Sequence, residues 1–381
     1  MSGNNSIEAH SSQIKLAKKF TSIFLLGPPM SDKVIRLVTH LFSPQEAEIA
    51  RHLPLYFTKP LEKIAARLNT TPNVIRPHLG AMAERRVIYS SQKGYSLVPL
   101  IPGMFEYILM TGRDTAWHKK YAELITDLYY TGFIQNYTKT PVPAVRNIPV
   151  QSAIETQNHV VDADLISEMI ERHSDFAVLN VCQCRQTQRF IGQECKRSSP
   201  EDGCLAFGTF AVSAVGRDSA RFVSKEEMYD IVQERFDKNL VFLTANVSPS
   251  SSNAICTCCD CCCHYIKSIN QFGAMITVAA PHYLATVEEI VCNNCGKCVR
   301  VCNTHAHSLS EKQHFFDQSK CIGCGVCEDI CPQGAIRLVE NPAYRPPAKD
   351  FSRLGLRLLP AAIMTALRVR LRPGSIRSDL S

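Results

Sequence analysis

Eighteen cysteines lie between residues 182 and 331 of this 381-residue chain, and the first 181 residues contain none. Eight of them form one motif written twice: Cys292, Cys295, Cys298 and Cys302, then Cys321, Cys324, Cys327 and Cys331. Both copies read C-x2-C-x2-C-x3-C and are offset by 29 residues, an internal repeat. Three thiolates spaced in this way can wrap a tight loop around three corners of an iron–sulfur cube. The short helix carrying the last cysteine points it away, so the fourth ligand must come from elsewhere. C-x-x-C pairs also serve zinc sites, but two complete four-cysteine runs with a Cys-Pro ending favour iron–sulfur chemistry.

The repeat closely resembles the bacterial two-cluster ferredoxin, in which the fourth cysteine ligates the other cluster. The resemblance implies one 4Fe–4S cluster on Cys292, Cys295, Cys298 and Cys331, and another on Cys321, Cys324, Cys327 and Cys302. The second copy follows the family through Cys321-Ile322-Gly323-Cys324-Gly325-Val326-Cys327 and Cys331-Pro332-Gln333-Gly334-Ala335-Ile336. In the first, Asn303 stands where proline is usual, and Thr304-His305-Ala306 replaces the Gly-Ala-Ile pattern. That departure leaves the ligands in place and bears on the potential and exposure of one cluster.

Ten more cysteines precede the repeat: Cys182, Cys184, Cys195 and Cys204, then Cys256, Cys258, Cys259, Cys261, Cys262 and Cys263. Six cysteines in eight residues are not a packing choice. Adjacent side chains diverge, so this run is expected to serve more than one metal, or one metal plus free thiols. One or two further iron–sulfur clusters within residues 150–284 are the leading expectation, with zinc and metal-free thiol redox as alternatives. His264, His305, His307 and His314 lie near cysteines and are read as packing or surface residues before ligands. Arg185, directly after Cys184, can neutralise thiolate charge or form a structural ion pair. Together with Val181-Cys182-Gln183-Cys184-Arg185, Gly203-Cys204-Leu205-Ala206-Phe207-Gly208 and the 255–263 run, the chain resembles a family of proteins from anaerobes. Those proteins have a helix-turn-helix start, a cysteine-rich middle and a ferredoxin end.

These motifs need scaffolds, and the rest of the chain is expected to supply an α+β multidomain protein. Residues 1–30 read as a disordered lead-in and 31–100 as a winged-helix-like domain. In the latter, Leu61, Ile64, Ala65 and Leu68 share a helical face. A second helix runs from Pro72 to about Arg85, with Pro77 expected to distort it, and residues 87–98 read as a two-stranded wing. Residues 101–149 are a helical connector, with a stripe of Trp117, Tyr121, Leu124 and Leu128, ending in a Pro-rich linker over 141–149. Residues 150–284 form a cysteine-rich α/β domain with a helix near 163–172, a strand over 176–181, a helix opened by Ser224 and a strand over 240–245. Residues 285–340 are the ferredoxin-like dicluster domain, and 341–381 a basic amphipathic tail.

Hydrophobic content of 45% and charged content of 20% suit a soluble globular protein. The net charge of +7 is local: from Arg345 onward eight Arg/Lys and two Asp contribute +6. Lys15, Lys18 and Lys19 precede an apolar stretch too short for an export signal, so a reducing cytoplasmic compartment is expected, where clustered thiols mean metal or redox chemistry. The tail, uncharged only over Leu358–Leu367, is too short to span a bilayer and suits a membrane surface or a partner. No phosphate-binding glycine loop is present, so no nucleotide cofactor is expected. The function expected is single-electron transfer through 4Fe–4S clusters to or from a partner oxidoreductase. A catalytic reductase centred on the middle domain and a redox-sensing, DNA-binding regulator are the alternatives. For the last, residues 61–100 carry a net +4, which suits phosphate and protein partners alike.

Overall fold

The computed structural model describes residues 9–371 apart from 23, 24, 26, 56, 131–141 and 150–165. The chain divides into two compact units. One comprises Met1–Tyr137, Phe190–Gly192 and Ala362–Ser381, the other Thr138–Arg189 and Gln193–Ala361.

In the first unit, helices Asp32–Leu41, Pro44–Ala50, Leu61–Arg67, Pro72–Glu84 and Ala116–Leu128 accompany an antiparallel hairpin of β1 (Ile88–Ser91) and β2 (Gly94–Leu97). Of the expected helix faces, Leu61, Ile64 and Ala65 are buried and Leu68 is half-buried, while Tyr121, Leu124 and Leu128 are buried and Trp117 is half-buried. Pro77 does not end its helix. It lies on the solvent face, where water can satisfy the carbonyl whose amide partner it lacks. The lead-in expected to be disordered is instead helical over Ser11–Phe20. Gln13, Leu16, Ala17 and Phe20 recur at helical spacing and are buried, and Gln13 Oε1 accepts the His10 N–H at 2.9 Å.

The second unit is built on a six-stranded antiparallel sheet. Its strands are β3 (Val145–Ile148), β4 (Phe176–Leu179), β5 (Leu205–Phe207), β6 (Ala220–Val223), β7 (Val241–Ala245) and β8 (Ala254–Cys258), in the order β3-β7-β8-β5-β4-β6. The stretch read as a Pro-rich linker therefore contributes an edge strand. Its prolines fall outside β3, and an edge position needs hydrogen bonds on one side only. Helices Ile166–Glu171 and Lys225–Asp237 contribute Met169, Ile170, Met228 and Ile231 to the core beside this sheet; Ser224 caps the latter helix by accepting the Glu227 N–H at 3.1 Å. Residues 163–165 lie outside the described set.

The ferredoxin repeat belongs to the same unit. β9 (Tyr283–Val287) pairs with β12 (Ile336–Glu340), and β10 (His307–Ser310) with β11 (Gln313–Phe316). β9 begins at Tyr283, two residues before the boundary read from the sequence. Val301 and Val326, from the short helices Lys297–Val301 and Val326–Asp329, join the core of the six-stranded sheet, and Ile322 packs with Val241, Leu243 and Ile266. The segment after β12 is likewise anchored. Ala348 is buried with Val247 and Leu354, and its N–H donates to Asn246 O at 3.0 Å. Phe351–Leu371 then forms a helix containing Pro360. Among the described residues no helix is long and apolar enough to cross a membrane.

Candidate iron–sulfur and thiolate sites

The repeat folds around two cavities, and each draws its thiols from both copies. Cys292, Cys295, Cys298 and Cys331 line the first, which has about 350 Å3 of empty space including its mouth. Cys302, Cys321, Cys324 and Cys327 line the second, of about 340 Å3. Backbone amides already face sulfur: Gly323 N–H donates to Cys321 Sγ at 3.4 Å and Ala306 N–H to Cys302 Sγ at 3.2 Å. Gly323 must be glycine, since it adopts φ +67° and a Cβ there would lie 2.1 Å from Tyr283 O. Burial pushes the Cys298 thiol to about 11 and Cys324 to about 12. Thiolates in these cavities therefore need positive charge beside them, which a metal supplies. Four convergent cysteines, amide donors and room for a cluster make both cavities fit 4Fe–4S.

His314 lines the first cavity and His307 the second, and their rings meet at 2.9 Å (Nδ1 of His307 to Nε2 of His314). Burial lowers His307 to about 4 and also lowers His314 below its ordinary value. His305 is exposed, 3.8 Å from Asp260.

The ten remaining cysteines sort into two sets, a partition that spacing did not reveal. Cys195 joins Cys259, Cys261 and Cys262, whose four Sγ atoms all lie within 4.8 Å of one another. The other six, four of them buried and Cys184 and Cys256 half-buried, make a chain of thiol contacts running Cys182, Cys184, Cys263, Cys258, Cys256 and Cys204, the last pair 3.3 Å apart. The expected divergence of neighbours appears at Cys258-Cys259 and Cys262-Cys263, which split between the sets, but not at Cys261-Cys262. Cys256 and Cys258 agree because alternate residues of β8 share a face; Cys259–Cys263 then turn, with Cys263 N–H donating to Cys259 O at 3.1 Å. In the four-thiol set, contacts with Cys259, Cys261 and Cys262 push Cys195 down, whereas contact with Cys195 pushes Cys259 and Cys262 up. His264 Nδ1 lies 3.4 Å from Cys184 Sγ.

Arg185 is 1% exposed and stands between the sets. Its guanidinium donates to the carbonyls of Asp202 (2.8 Å) and Thr257 (2.6 Å) rather than to a carboxylate. Burial disfavours its charge, but Cys182, Cys259, Cys195 and Cys258 outweigh that and hold its pKa above the ordinary value. Of the two roles read for it, charge neutralisation is the one this geometry carries. Asp202 in turn is held by Lys238 at 2.8 Å and by Arg235 and Ser198. This fixes the loop that presents Cys204, where Gly203 is required because a Cβ would lie 1.9 Å from Leu179 O.

Asn303, the departure from the ferredoxin pattern, has a structural role that the motif alone does not show. It is 1% exposed. Its Oδ1 accepts the Asp260 N–H at 3.0 Å, inside the cysteine turn, and its Nδ2 donates to Asn239 O at 2.9 Å. A proline there could make neither bond. The substitution ties the first ferredoxin copy to the middle-domain thiols.

Residues 314–337, which contain the second cysteine run, match the 4Fe-4S binding domain family. Three curated relatives are similar over short stretches. One is a probable iron-sulfur subunit from the Frd operon of Proteus vulgaris, 36% identical over 58 residues, covering 15% of this chain and 37% of that protein. Another is a ferredoxin of Methanocaldococcus jannaschii, 32% identical over 89 residues, or 23% and 53%. The third belongs to an ion-translocating oxidoreductase complex of Methanosarcina acetivorans and is 44% identical over 50 residues, or 13% and 19%. The chain spans between 12% and 53% of the length of such relatives. The chain thus contains 4Fe-4S binding domain sequence over residues 314–337, and its similarity to these proteins lies in such iron–sulfur segments.

Proposed function

We propose that this protein is an electron-transfer subunit passing single electrons to or from a partner oxidoreductase. One 4Fe–4S cluster is held by Cys292, Cys295, Cys298 and Cys331, and the other by Cys302, Cys321, Cys324 and Cys327. When bound, such clusters supply reversible one-electron redox chemistry. The chain's own residues hold them, donate amide hydrogen bonds to the thiolates and screen them with apolar neighbours such as Ile322, Val326 and Ile336. The observation that carries this reading is the repeat whose two cavities each combine three cysteines of one copy with the last of the other. Relatives named as iron–sulfur and oxidoreductase-complex subunits support a redox partner. The test is anaerobic purification followed by stepwise reduction. Acid-labile sulfide and two one-electron paramagnetic signals are expected; zinc without sulfide in the 285–340 region would overturn it.

The helices Leu61–Arg67 and Pro72–Glu84 with the β1–β2 hairpin have the order of a winged helix, and we assign this part a docking role for protein rather than a specific DNA site. One basic charge of the stretch is already engaged, because Arg85 pairs with Glu46 at 2.7 Å. Selected-sequence binding at physiological salt near 10 nM would reverse that assignment.

A further inference from the structure

We infer that Cys195, Cys259, Cys261 and Cys262 bind one tetrahedral thiophilic dication, zinc or iron, as a closed mononuclear site separate from every iron–sulfur cluster of the chain. Cys195 Sγ lies 3.6 Å from both Cys259 and Cys261, and Cys261 lies 3.7 Å from both Cys259 and Cys262. A metal bonded to four sulfurs at about 2.3 Å sets the edges of its tetrahedron at about 3.8 Å. Four of the six sulfur pairs already have nearly that spacing, and all six lie within 4.8 Å. A cubane gives each cysteine a different iron, so its thiolates stand apart across the cube. The ferredoxin sets follow this: among the described residues, no three of their thiols gather within 4.8 Å.

The surroundings match such an ion. The two limbs that supply the ligands are clamped without it, because Arg197 Nε donates to Asp260 Oδ1 at 2.7 Å, bridging the residues after Cys195 to the cysteine turn. Lys196 N–H donates to Cys261 Sγ at 3.4 Å, an outer bond that fixes a ligand and spreads its charge. Four thiolates around a dication leave two excess negative charges; the buried Arg185 lies beside them, and Arg197 is paired with Asp260. The sulfur-only donor set selects zinc or iron over harder cations, and four ligands leave no open position. Cys182, Cys184, Cys204, Cys256, Cys258 and Cys263 remain a distinct set whose thiols run in a chain rather than converging on a point.

The test uses the full chain purified without oxygen. Zinc-edge X-ray absorption of the wild type should show four sulfurs at about 2.3 Å and no metal neighbour if the ion is zinc. Zinc at the zinc edge, or a rubredoxin-like ferric signal on oxidation, distinguishes the two ions, and either supports the site. Cys195→Ser and Cys261→Ser should each lose one metal ion per chain while acid-labile sulfide and the reduced ferredoxin signals persist. Loss of several irons together with sulfide would show a cluster and overturn the inference. So would unchanged metal content in both variants, or a wild-type shell containing nitrogen or oxygen. None of these results depends on whether the ferredoxin region transfers electrons.

Discussion

Two thiol-rich regions of the second unit solve different problems with the same residue. In the ferredoxin repeat, glycine-containing loops hold cysteines around cavities of about 350 and 340 Å3, and the thiols influence one another mainly through charge. Around the 259–263 turn, where Cys195 joins it, sulfur lies against sulfur at 3.6–3.7 Å. Cysteine count alone would treat the two regions alike. Separation between sulfurs is what distinguishes room for a cluster from room for an ion.

The comparison can be broken most directly at the shared cysteines. Cys302→Ala and Cys331→Ala should each abolish or convert the cluster built mainly by the opposite copy, read as selective loss of one reduced-state paramagnetic signal. If each variant affected only its own copy, the reading of two mixed cavities would fail. Arg185→Gln should come next. It leaves thiolate charge unbalanced near both middle-domain sets and weakens two buried charged hydrogen bonds, costing about 3 kcal/mol or more. Urea unfolding of the anaerobic protein measures this, and metal should leave the middle domain before the ferredoxin signals fade.

A smaller effect sharpens the link between the regions. Asn303→Ala deletes the buried bonds to Asp260 and Asn239 and should cost about 2 kcal/mol. Both ferredoxin signals should remain, while chelator removes metal from the 259–262 turn more quickly than in wild type. Equal chelation rates would mean that Asn303 only fills space. The smallest effect on folding is expected from removing residues 362–381. The anchoring residues Ala348 and Leu354 are kept, so cluster content should be unchanged, and binding to anionic vesicles or to the redox partner should fall. Unchanged association would exclude a docking role for that segment.

Local elements were legible where a short pattern decides them. The helices at 61–67 and 72–84, the hairpin that follows and the helix at 225–237 all appear close to where periodicity and capping residues place them. The misreadings share a cause. Ser11–Phe20 looked like lead-in because its polar residues outnumber its apolar ones, yet burial of Leu16 and Phe20 against partners distant in sequence stabilises it as helix. Val145–Ile148 looked like linker because prolines flank it, yet β7 offers it an open edge.

The spacing of the repeat determined by itself that 4Fe–4S chemistry belongs at residues 292–331, because three thiols on a short loop meet a cube's corners through local geometry. The density of the 256–263 run pointed separately to more than one destination for its thiols, although the adjacent Cys261 and Cys262 stay together. How it divides was decided by the tertiary structure. Cys195, 64 residues before Cys259, is delivered to the turn by the loop that follows a helix, and Cys204 is carried to Cys256 by pairing of β5 with β8. No local rule places such distant thiols together, because sheet order and the Arg197–Asp260 clamp bring them within bonding distance of one ion.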